Sequence, residues 1–142
     1  MAALFFLMRS SAIRMRSKHL WQKTNKEEIL KMAYIKNIEP EKVVNLGGLV
    51  QYMDGQVVSR TLAQNSAVSI TLFAFVKGEE ISTHDSEGDA MVTVLEGTGE
   101  FTVGGIKHQV KAGEALVMPA KIPHAVYAVE AFKMLLTVVF PQ

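Results

Sequence analysis

The chain has 142 residues, 49% of them hydrophobic, no cysteine, and a net charge of +1 at pH 7. That length fits one domain with a sizeable core, and the lack of cysteine excludes disulfides and thiolate metal sites. The charge is unevenly divided: residues 1–31 carry seven Lys/Arg against Glu27 and Glu28 (+5), whereas residues 32–142 carry eight basic and twelve acidic residues (−4), a balance that excludes the usual basic face of a nucleic-acid binder.

The chain opens with MAALFFLM, about half the length of a membrane span. Its basic residues follow the apolar run, the reverse of a secretory signal. Residues 1–23 are Arg/Lys-rich and acid-free, the composition of a transit peptide or a membrane-surface helix. Residues 10–31 read as a weak helix, with Glu27, Glu28, Ile29 and Leu30 as good formers. Another reading competes with this one. Lys26-Glu27-Glu28 is readily encoded by a purine-rich run that resembles a ribosome-binding site ahead of Met32. The expectation adopted is an N-terminal extension over 1–31 that is not natively translated and a single domain over 32–142. Intact mass of the protein from its native host checks it.

Pro40 closes any helix. From Val43 onward the pattern changes to short runs between turns. Leu49–Met53 precedes Asp54-Gly55, a hairpin signal. Val57–Ala63 reads as a strand, and so does Val68–Val76, whose low polarity predicts cover on both faces. Strands follow at Ile81–His84, Ala90–Leu95, Gly99–Val103, Ile106–Val110, Ala115–Met118, Ala125–Val129 and Phe132–Phe140. Short strands at this spacing predict an all-β sandwich or closed barrel. Neither a P-loop, nor GxSxG, nor HExxH occurs.

Two blocks within 78–128 carry chemistry. The first is GEEISTHDSEGDAMVTVLEG, from Gly78 to Gly97; the second is GEALVMPAKIPHAVYA, from Gly113 to Ala128. Gly78, His84 and Gly97, then Gly113, Pro119 and His124, stand at the spacings of the two motifs of the cupin superfamily. The chain resembles a small single-domain cupin over about residues 43–140. The resemblance implies a jelly-roll barrel, also called a double-stranded β-helix, with a pocket in its mouth.

The same resemblance implies a metal site of three His and one Glu, and here the sequence departs from it. Ser86 takes the second His position, Ala90 the Glu position, Ala128 the motif Asn and Lys121 the motif Gly. The first expectation is therefore a small molecule in the barrel pocket, bordered by His84, Ser86, Ala90, Met91, Met118 and His124, with no cofactor required. The alternative is a divalent metal ion on His84 and His124 with Asp89 or His108 as third ligand, serving dioxygenase, isomerase, decarboxylase or lyase chemistry. Asp89 lies one residue from the Glu position, and a regular strand turns it the other way; His108 shares strand parity with Val110. Met91, Met118, Met134 and Phe73 are expected to pack the barrel. A third expectation is a homodimer through the barrel edges, with 68–76 as its face, in a sensory or assembly role. Neither a nucleic acid nor a membrane is expected as partner, and the cysteine-free composition fits the cytoplasm.

Overall fold

Alternation of apolar and polar side chains sets nine antiparallel strands among the described residues. They are β1 (Val57–Gln64), β2 (Val68–Phe75), β3 (Glu80–His84), β4 (Asp89–Glu96), β5 (Thr98–Val103), β6 (Ile106–Lys111), β7 (Ala115–Met118), β8 (His124–Tyr127) and β9 (Phe132–Val139). The structure is a computed structural model that describes residues 25–28 and 33–142. It contains two compact units, Met1–Tyr34 and Ile35–Gln142. In the first, residues 25–28 are helical; the other expectations for the leader lie outside the described residues.

The strands form a five-stranded sheet in the order β1-β2-β9-β4-β7 and a four-stranded sheet in the order β3-β8-β5-β6. This is the jelly-roll expected from the sequence. The two sheets face each other across one core, built by Phe75, Val92, Val94, Phe132 and Met134 from the larger sheet and Phe101, Val110 and Val126 from the smaller. Phe75 and Phe132 stack at 4.6 Å, and Phe101 meets Phe132 edge-on at 6.1 Å. Gly99 serves this packing, because a Cβ there would meet the Phe132 ring at 2.7 Å. Gly97, at φ 72°, turns β4 into β5 in a conformation that L side chains rarely adopt.

The outer face of the larger sheet has its own cluster. Leu62, Leu72 and Ala74 are buried against Val50, with Ile38, Leu46, Leu49 and Tyr52 packed around them. The run over 68–75 is therefore covered on both faces, as its composition predicted. That cover also corrects the expected dimer face: Leu72 and Ala74 are fully buried within the chain. The Leu49–Met53 run differs too. Leu46–Leu49 is a 3-10 helix capped by the Asn45 side chain, and the expected hairpin shrinks to a single bridge between Met53 and Gln56. Leu46, Leu49 and Val50 are spaced to lie on the sheet rather than to alternate across a strand.

A polar clasp holds this segment down. The buried Lys133 Nζ donates to the Gly47 carbonyl at 2.6 Å, pairs with Glu96 at 3.3 Å and lies 4.8 Å from the centre of the Tyr52 ring. The Tyr52 hydroxyl donates to Glu96 at 3.0 Å. Burial, followed by that hydrogen bond and the Glu96 charge, raises the phenol well above its ordinary range, so it stays a donor. Lys133→Met keeps the stem but strands the Gly47 carbonyl and removes the cation beside the half-exposed Glu96. It should cost about 1–3 kcal/mol, read as a lower urea midpoint at unchanged slope.

Candidate functional site

Strand register fixes which side chains share the barrel mouth. On the smaller sheet His84 pairs with His124, His124 with Val103, and Val103 with Ile106. Cross-strand partners lie on one face, so these four form a row at the open end of the inner face. On the larger sheet the matching row is Ser69, Val138, Ala90 and Met118. One level deeper, Val92, Phe101 and Val126 are buried and close the interior. His84 and Ile106 are the exposed members of the mouth row.

The two imidazoles touch, with ring centres 4.4 Å apart and planes at 69°. His84 is exposed and His124 is 3% exposed. His84 Nδ1 lies 2.8 Å from the Ser82 carbonyl, and His124 Nδ1 lies 3.1 Å from the Ile122 carbonyl. A carbonyl only accepts, so each Nδ1 carries the hydrogen. In its neutral form each ring then has Nε2 as its acceptor. The backbone two residues upstream sets the tautomer in both cases.

Burial holds the His124 imidazole below its ordinary range; the Ile122 hydrogen bond opposes this, the neighbouring His84 adds to it and Asp85 opposes it. The folded state therefore binds the proton less readily than the unfolded one. The stabilising contribution is complete above about pH 6.5, the unfolded value, and is lost as the pH falls through the depressed folded value. Urea unfolding between pH 5 and 8 should show a decline on the acid side that His124→Phe reduces.

The loop between β7 and β8 carries His124 and is tied down. Asp89 Oδ1 accepts from the Ala120 N–H at 2.8 Å, the Ser86 carbonyl accepts from the Lys121 N–H at 2.8 Å, and the Pro123 carbonyl accepts from the Gly104 N–H at 2.8 Å. Lys121 sits at φ 63° where the motif has Gly, a strained conformation held by these bonds. Asp89→Ala should cost about 1 kcal/mol and speed solvent exchange of the His124 Nδ1 proton. Asp89→Asn, which keeps an oxygen acceptor, should restore most of both.

Of the residues singled out in the sequence, His84, His124, Ala90 and Met118 meet at the mouth. Ser86 lies on its rim, where its Oγ accepts from the Gly88 N–H at 3.2 Å. Met91 is a correction: it is 41% exposed and pairs with Val117 and Thr137 on the outer face, because its parity is opposite to that of Ala90. His108 pairs with the buried Phe101 and so faces inward, a row below the imidazole pair. Met134 and Phe73 pack the core as expected. Sequence spacing missed Val103, Ile106 and Ile122; strand parity followed across the β5–β6 turn was the signal that leads to the first two. A separate groove of about 500 Å³ lies on the outer face of the smaller sheet, with Glu80, Glu100, Lys107 and Tyr127 in its wall.

Comparison with known proteins matches this geometry to a family. The cupin domain family model matches residues 71–140. A solved cupin superfamily protein from Desulfitobacterium hafniense is 32% identical, with a TM-score of 0.73, covering 77% of this chain and 100% of that one. The chain belongs to the cupin superfamily. This cupin is also similar to a conserved Streptococcus pyogenes protein of unknown function, at 51% identity and TM-score 0.77, covering 78% of this chain and 97% of that one. A cupin 2 conserved barrel domain protein from Leptotrichia buccalis is 45% identical with TM-score 0.66, covering 68% of this chain and 47% of that one. No curated protein matches.

The four-ligand metal site implied by the family does not fit the donors of this cupin. Ala90 has no donor atom, Ser86 Oγ is used by the Gly88 N–H, and one Asp89 oxygen is used by the Ala120 N–H. No group of three or more His, Asp or Glu able to hold an ion occurs among the described residues. Two imidazoles alone fall short of the three protein ligands of a catalytic zinc-type site. Among the described residues no helix is long and apolar enough to cross a membrane.

Proposed function

We propose that this cupin binds a small molecule at its barrel mouth through His84 and His124, with no resident metal ion required. The observation that carries the proposal is the pair of Nδ1–H···O=C bonds, which leaves Nε2 as the acceptor atom of two imidazoles whose ring centres are 4.4 Å apart. A ligand N–H or O–H donates to each. The filled interior below limits the ligand to the mouth and makes the site preorganised. The low basicity of His124 keeps it an acceptor near neutral pH. The proposed setting is cytoplasmic.

The test is an NMR screen of polar metabolites in EDTA-containing buffer. The expected hits shift the His84 and His124 resonances and are lost in His124→Ala. Hits that map to the Tyr127 groove, or that survive His124→Ala, would place the site elsewhere.

A homodimer is part of the same proposal, with its face moved. Met91, Val117 and Val139 are 41%, 52% and 59% exposed on the outer face at the β4–β7 side of the larger sheet. They form an apolar surface that the segment over 38–52 leaves open. Light scattering at micromolar concentration should give twice the chain mass, and Val117→Asp should return it to one; a monomeric wild type removes the dimer from the proposal.

A further inference from the structure

The mouth row is amphipathic along its length. Two imidazoles occupy β3 and β8, and two aliphatic side chains, Val103 and Ile106, continue the row on β5 and β6. Ile106 is 65% exposed although its register partner Val103 packs against the core. Ile122 is 40% exposed on the loop before β8, against the β5–β6 turn at Gly104. Met118 ends the facing row. One end of the mouth thus offers hydrogen-bond acceptors, and the other offers apolar surface left in water.

We infer that the ligand of the mouth is an amphiphile, with a proton-donating, non-anionic head on His84 and His124 and an apolar arm along Val103 and Ile106. This rests on the reading of the imidazole pair given above. Three features set the class. The head must donate, because both Nε2 atoms accept. It carries no negative charge, because two exposed carboxylates, Asp85 and Glu87, follow His84 directly in the chain. The arm lies flat, because Phe101 and Val126 fill the level below. Strands are about 4.8 Å apart, so β8 to β6 spans about 10 Å, the reach of about seven or eight methylenes.

The experiment titrates methyl-, butyl- and octylguanidinium, and octanoate, into the full chain in EDTA buffer, followed by NMR. Affinity should rise about twofold per methylene from butyl to octyl, half the roughly fourfold of a fully buried methylene because the arm is covered on one side only. Octanoate should bind at least tenfold more weakly than octylguanidinium. Ile106→Ser should cost the octyl compound most of its gain, with Ile122→Ser as a second variant at an exposed position. His124→Ala should weaken every member of the series. Equal affinity for methyl and octyl compounds, or octanoate binding as tightly as octylguanidinium, overturns the inference and leaves the imidazole reading standing. Binding that does not depend on His124 removes both. A change of solution mass on Ile106→Ser assigns the exposed apolar end to a second copy and also overturns the inference.

Discussion

Phe132→Ala lowers the free energy of unfolding by about 3–5 kcal/mol, enough to remove much of the stability of a domain of this size. Phe132 is fully buried and joins the two sheets: it stacks on Phe75 from β2 and receives the edge of Phe101 from β5. Truncation removes the ring from the transfer balance and leaves a void that cannot collapse easily, because β9 is hydrogen-bonded on both sides, to β2 and to β4. Phe132→Leu fills part of the void and should cost about half as much. Urea unfolding of the two variants checks the pair. A loss below about 1.5 kcal/mol for the alanine variant would mean that the aromatic layer does not join the sheets as described.

His124→Ala weakens ligand binding at the mouth by at least about tenfold, with a smaller loss of stability of about 1 kcal/mol. The ring supplies one of the two acceptors and is the wall against which His84 rests. Its removal therefore unlocks the second acceptor as well, and the double variant with His84→Ala should lose less than the sum of the singles. His84→Ala alone, at an exposed position, should cost about threefold to tenfold. Calorimetry with any confirmed mouth ligand reads these ratios; full additivity would show that the two imidazoles act independently.

The barrel was legible in the sequence because its signals are local. Alternation placed eight of the strands to within one residue at each end, and the expected Ala125–Val129 run starts one residue earlier, at His124, and ends two earlier, at Tyr127. Gly97 and Gly113, at φ 72° and 86°, mark the turns expected of them. The site was half legible. Motif spacing located His84 and His124, and their pairing across β3 and β8 follows from it. Spacing could not show that the neighbouring carbonyls of Ser82 and Ile122 fix both tautomers, because that depends on side-chain rotamers. Asp89 was visible only as an acid near a vacated ligand position. Its use as a brace for Ala120 joins residues 31 apart in sequence, and no single-sequence pattern encodes that contact. Met91 was misplaced because composition, not parity, assigned it to the pocket. The apolar end of the mouth escaped notice for a related reason. Val103 and Ile106 look like ordinary strand residues until register sets them beside the imidazoles.

The protonation pattern of the two rings decides whether the mouth is an acceptor site. Long-range 1H–15N correlation of the histidine side chains at pH 7.5 reads it directly. Both His84 and His124 should show a protonated Nδ1 and a pyridine-like Nε2, with the His124 Nδ1 proton slow to exchange. Protonation on Nε2 in either ring would contradict the account, because the pair would then offer a donor where the proposed ligand must donate.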